Sequence, residues 1–379
     1  MGSSGRRVAH GVSAGQLAEA EGFEPPDPLG TLAFKASAFG RSATLPWTSL
    51  ASRARFSTSA GSCGGISGVD INPDAELDTS QVEDLRGSSG GGGLGSRVAV
   101  GGGGVSVVGL LIYFLLSQLG GGALPQGLPQ AGGFSDVQSG QQVDNDSLKQ
   151  KCQVGRDAAN NLDCEAVAVI NSIQSYWSTE FAKSGSRYVP ATTRFFNGSV
   201  STGCGAASSD SGPFYCPADR RVYIDLSFYQ ELQTRFGAQG GPFARAYVLA
   251  HEYGHHVQDL IGTSDRVRSS AAGPTSGSVR LELQADCYAG VWANHATQTT
   301  TASGQPLIEN INEADIDAGL DTAERIGDDF IQSQIAGQRV DQGQFTHGSS
   351  AQREKWLTTG LRTGDPKQCD TFSRSVNLG

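Results

Sequence analysis

The 379-residue chain is short of charge: Asp, Glu, Lys and Arg make up 17% of it, and acids outnumber bases to a net charge of -10. Such a chain lacks the basic footprint that a phosphate backbone demands, so nucleic acid is not an expected partner. Methionine occurs once, at Met1, and a later start would need a non-ATG codon. No C-x-x-C is present, which argues against a cysteine-built zinc site. Residues 1–97 show no sustained helical or strand period. They mix Ser, Gly, Arg and Pro and end near Gly87-Ser88-Ser89-Gly90-Gly91-Gly92-Gly93. With 52 glycines in the chain, this composition predicts that residues 1–97 are disordered and cytoplasmic. The run Glu21 to Asp27 resembles strings seen when a start site is set too far upstream.

One long apolar run is present. Val98 to Leu119 carries no charge, close to the ~20 residues needed to span a bilayer. Arg86 and Arg97 precede it and Asp136, Asp144 and Asp146 follow it. The positive-inside tendency therefore predicts a single transmembrane helix over 98–119, with the N-terminus cytoplasmic and the following part outside the cell membrane. A buried core helix or an uncleaved signal region are the other readings. Residues 120–140 are a Gly/Pro/Gln-rich linker.

Six of the seven cysteines lie beyond it, in residues 141–379. An even count in an extracytoplasmic segment predicts three disulfides, with about 15 connectivities open. Close spacing favours Cys152–Cys164 and Cys204–Cys216, which leaves Cys287–Cys369. Cys63 then stays a free thiol.

The stretch that organises this part is His251-Glu252-Tyr253-Gly254-His255. On a helix, residues four apart share a face, so His251 and His255 can offer two ring nitrogens to one ion. Glu252 lies beside that ion and is placed as a general base. Pro242 suits the start of this helix and Gly262 its end. Phe243, Tyr247, Ala250, Gly254, Val257 and Ile261 form its apolar stripe, which buries it. His256, about 100° around from His255, is not expected to be a ligand.

A third ligand is sought in Arg280 to Gly290. Glu282 and Asp286 are again four apart and sit among apolar residues. The reading favoured is Glu282 on the metal and Asp286 accepting the far ring N–H of a ligand histidine, which fixes its tautomer. A solvated acidic face is the plainer alternative. Around these elements, Cys164 to Phe181 predicts a core helix, and Thr192–Phe196, Phe214–Cys216 and Val222–Leu226 predict short strands. Residues 308–330 predict a helical pair, and a helix beginning at Ser349 or Ser350 runs through Trp356.

H-E-x-x-H followed by E-x-x-x-D resembles the gluzincin arrangement. The strings His251 to Gln258, Glu282 to Gly290, Gly212 to Pro217 and Thr346 to Arg353 are similar to those of the bacterial neutral zinc metallopeptidase family, over about residues 140–379. The resemblance implies an α+β, mainly helical zincin-like domain with a small β-sheet, one Zn2+ per chain and a peptide or protein substrate. By analogy with other zincins, His347 would hydrogen-bond the oxyanion with Arg353 as its support; bracing of the loop by His347 is the alternative. Two rival functions stay open: a zinc-stabilised cell-surface binding or scaffold module, and a zinc hydrolase of a non-peptide ester or amide bond.

Overall fold

The computed structural model describes residues 69–86, 145–267 and 271–379. The expected transmembrane span 98–119, the linker 120–140, the Cys63 thiol and most of residues 1–97 lie outside these. Among the described residues no helix is long and apolar enough to cross a membrane.

The architecture is α+β and mainly helical. Strand β1 (Asp70–Ile71) and strand β2 (Val82–Asp84) come first, then helix α1 (Asp146–Lys151) and helix α2 (Leu162–Lys183). Strands β3 (Thr192–Phe195), β4 (Ser199–Thr202), β5 (Gly205–Ser208), β6 (Phe214–Cys216) and β7 (Arg221–Ile224) follow. Helices α3 (Phe228–Thr234), α4 (Pro242–Leu260) and α5 (Gly277–His295) then lead to strand β8 (Ile308–Asn310), helix α6 (Glu313–Arg325) and helix α7 (Ser350–Thr363).

The main sheet has the order β2-β3-β7-β6, with β2, β3 and β7 parallel and β6 antiparallel at the edge. A β4–β5 hairpin and a β1–β8 pair stand apart from it. Residues 69–86 thus correct the expectation of disorder over 1–97, because this part of the chain is built into the core. Val82 registers with Thr193 and is fully buried, and the Glu83 carboxylate takes the Arg194 guanidinium at 2.5 Å. The folded body therefore begins well before residue 141. The helical pair expected over 308–330 is present but begins later: Ile308 lies in β8, Glu313–Arg325 is the first helix, and a second helical segment starts at Asp328 and continues to Ile335.

Local chemistry explains the helix boundaries. The Asn161 side chain accepts from the Asp163 N–H at the start of α2, and the acids Asp163 and Glu165 suit the positive end of its dipole. Pro242 opens α4, where the missing N–H costs nothing. Ser349 and Gln352 form a capping box on α7, and Gly364 ends it in the left-handed conformation at φ 58°.

Packing of α4, α5 and α7 positions the site. A Cβ on Gly254 of α4 would lie 2.9 Å from the Cα of Ala285, and one on Gly360 of α7 would lie 2.0 Å from the Cys287 carbonyl oxygen. These contacts need glycine, and they bring α5 against both neighbours at backbone distance. Disulfides join Cys152 to Cys164, Cys204 to Cys216 and Cys287 to Cys369, the pairing that spacing favoured. The last of these ties α5 to the C-terminal segment.

Candidate metal centre

His251 and His255 sit one turn apart on the buried α4, and Glu282 meets them from the first half of α5. The Nε2 atoms of the two histidines are 3.2 Å apart. Glu282 Oε2 is 3.2 Å from His251 Nε2, and its Oε1 is 3.4 Å from His255 Nε2. These three side chains offer donor atoms that all lie within 4.8 Å of one another. A zinc ion held tetrahedrally at about 2.0–2.1 Å would separate its ligand atoms by roughly 3.3 Å. The observed spacings fit that ion.

The far side of each ring decides its tautomer. His251 Nδ1 donates to Asp286 Oδ1 at 2.8 Å, and His255 Nδ1 donates to Gln258 Oε1 at 2.9 Å. Gln258 is oriented in turn because its Nε2 donates to the Leu281 carbonyl at 2.7 Å. Both Nε2 atoms are thereby left as acceptors facing a carboxylate, an arrangement that draws a cation. The same groups also pull on a proton, which competes with a metal ion for these nitrogens. Burial alone would lower His251, yet Asp286 and Glu282 outweigh it and push its pKa up to about 9. Burial opposes ionisation of Glu282, but His255 and His251, with His347 adding to them, hold it well below the usual carboxylate range.

Glu252 is buried. Its carboxylate accepts the Tyr215 main-chain N–H from β6, while Oε2 has no partner in the protein. Burial raises its pKa, offset in part by His251 and His255. A narrow cavity lined by Pro213, Phe228, Tyr247, Val248 and Arg353 adjoins His251 and Glu252.

Arg353 is fully buried, and its hydrogen bonds run to Asp286 and Tyr247. Its Nη2 donates to Asp286 Oδ1 at 2.9 Å and to Tyr247 OH at 3.2 Å. Tyr247 OH also donates to Asp286 Oδ1 at 2.6 Å. Asp286 therefore joins Arg353 to His251. His256 is turned away from the ion site and donates through Nε2 to the Val189 carbonyl at 2.7 Å.

His347 lies against a partner that sequence reasoning missed. The buried Asp328 carboxylate accepts the main-chain N–H groups of Thr346, His347 and Gly348 at 2.7, 2.7 and 3.0 Å. It also accepts from His347 Nδ1 at 3.0 Å, while His347 Nε2 is buried without a protein partner. Asp328 and Asp329 follow Glu324 and Arg325 and precede Gln332, Ser333 and Gln334, so no apolar setting marked them out in the sequence.

A paired histidine helix completed by a glutamate from the next long helix makes a possible His-His-Glu metal site with a further carboxylate, Glu252, beside it. The chain matches the family described as "Putative neutral zinc metallopeptidase" over residues 74–372, and it belongs to that family. It is 48% identical over 230 residues to the uncharacterized protein Rv2575 of Mycobacterium tuberculosis H37Rv, covering 60% of this chain and 76% of that one. It is 39% identical over 307 residues to the uncharacterized protein YpfJ of Escherichia coli K12, covering 79% of this chain and 98% of that one. No solved structure matches.

Proposed function

We propose that the chain is a zinc-dependent peptidase in which His251, His255 and Glu282 hold the ion and Glu252 carries the proton. The observation that bears this reading is the convergence of three donor atoms beside a buried, unpartnered oxygen of Glu252. Bound zinc supplies Lewis acidity, polarising a carbonyl and making a coordinated water acidic near neutral pH.

The rest of the chemistry belongs to the protein's own groups. Glu252 is anchored through the Tyr215 N–H and keeps one oxygen free to take a proton from the attacking water and pass it to the leaving amine. In its doubly protonated form, with Nδ1 donating to the Asp328 carboxylate, His347 has an Nε2–H that can donate to the charge that develops on the substrate carbonyl oxygen.

A peptide substrate is supported by strand β6. It is the edge of the main sheet, and its Tyr215 N–H points at Glu252, so an extended peptide pairing with that edge would run past the base. Three disulfides support residence in an oxidising compartment. Attachment to a membrane through residues 98–119 is the part of this proposal that rests on sequence.

The test is cleavage of unfolded casein and of a panel of simple esters and amides by the full chain, with and without a chelator. Chelator-sensitive cleavage of casein that Glu252→Gln abolishes is expected. Ester turnover without any peptide cleavage would move the assignment to a different bond.

A further inference from the structure

The two flanks of residues 87–144 meet. The Asp84 N–H donates to Asn145 Oδ1 at 3.0 Å, and Asn145 Nδ2 donates to the Val82 carbonyl at 2.9 Å. Arg86 Nη1 reaches Asp163 of α2 at 2.9 Å, and the Leu85 N–H donates to the Phe195 carbonyl at 2.9 Å. Further back, Asn171 of α2 closes two hydrogen bonds on the Asp78 backbone at 2.8 and 2.9 Å, and β1 pairs with β8. Ala75 and Val82 are fully buried in the core that also holds Tyr247 and Leu283. Residues 69–86 are therefore part of the body that carries the metal centre.

This arrangement constrains the uncharged stretch 98–119. One passage through a bilayer would place its flanks on opposite faces of a hydrocarbon core about 30 Å thick. Strand β2 would then be on one side and β3 on the other. Exchange of β2 between copies does not remove the conflict, since copies inserted in one direction keep all their N-terminal flanks on the same side. Two helical passages would need about 40 apolar residues, and this stretch has 22.

We infer that residues 69–86 and residues 145–379 stand on the same side of any membrane the chain touches, so that 98–119 does not carry the chain across. It is an alternative to the expectation of an N-terminal region inside and a metal-site body outside. It does not depend on the peptidase reading.

The experiment is labelling of single cysteines in the full chain with a membrane-impermeant maleimide, in intact spheroplasts and after detergent. Cys63→Ser removes the thiol that lies outside the three disulfides. In that background Ser80→Cys reports the N-terminal segment and Ser303→Cys the metal-site body, both at exposed positions. Asp74→Cys with Ser201→Cys, also exposed, serves as a second pair should either member of the first stay unreactive in detergent. The result expected is one pattern for both members of a pair: both labelled fully in intact spheroplasts, or both labelled only after detergent. One member labelled before detergent and the other only after it would overturn the inference.

Discussion

Asp286 Oδ1 lies 2.8 Å from His251 Nδ1, and neither side chain has more than 5% of its surface exposed. The same oxygen takes the Arg353 guanidinium, so one atom orients a metal-ligand candidate and neutralises a buried cation. Burial works against the Asp286 charge, but Arg353 and His251 outweigh it and keep its pKa low. Asp286→Asn is expected to weaken zinc binding about 10–100-fold, as loss of an outer partner of a ligand histidine does. It also strands Arg353, at a cost of about 3–5 kcal/mol. Zinc titration and denaturant unfolding of the variant read the two effects separately.

The pairing of His347 with Asp328 yields a second expectation. His347→Ala should lower kcat about 10²–10³-fold, the range for loss of a donor to a developing oxyanion, while zinc content stays at the parent value. Asp328→Asn keeps an acceptor for the main-chain N–H groups but removes the charge that holds the ring, so a smaller loss in kcat at unchanged zinc is expected. A fall in zinc content in His347→Ala would instead make this residue part of the ion's support.

Gly360→Ala tests the α5–α7 contact. The added Cβ would lie 2.0 Å from the Cys287 carbonyl oxygen and 2.7 Å from the Val291 nitrogen, both backbone atoms. Overpacking of this kind costs about 1–3 kcal/mol or more. Thermal unfolding should register it, whereas Arg362→Ala at an exposed neighbouring position should change little.

Asp163 links stability to pH. Burial raises its pKa, but Arg86 and Lys151 outweigh that and bring it below the ordinary value. A lowered pKa in the folded state gives stability that is complete above the unfolded value of about 3.9 and is lost as pH falls through the folded value. Asp163→Asn should therefore be less stable than the parent at pH 7 by about 1–3 kcal/mol. The gap should narrow as pH drops below about 4, as urea unfolding at a series of pH values would show.

The elements that sequence made legible are those with a period and a cap. The helix bearing His251 and His255 carries its apolar stripe at helical spacing, and Pro242 and Gly262 mark its ends. Glu282 and Asp286 stood out as carboxylates in apolar company. Strand β2 gave no such signal, because Val82-Glu83-Asp84 has no alternating apolar face. Its pairing is fixed by distant partners, among them Arg194, Asn145 and Asp163. The partner of His347 was hidden for a related reason: Asp328 meets it across a loop that local spacing does not describe. Gln258 is also a contact of tertiary origin, since its amide is held by the carbonyl of Leu281 on α5. A fragment starting at residue 140 would leave β3 without β2, so measurements belong on the full chain.

Zinc content of the purified full chain, set beside that of Glu282→Ala, tests the central claim most directly. The account predicts about one zinc per chain, as a three-ligand site with one open position would hold, and loss of most of it in the variant while the fold persists. A parent without zinc after equilibration with the metal, or a variant that keeps it, would contradict the assignment of His251, His255 and Glu282 as one metal centre.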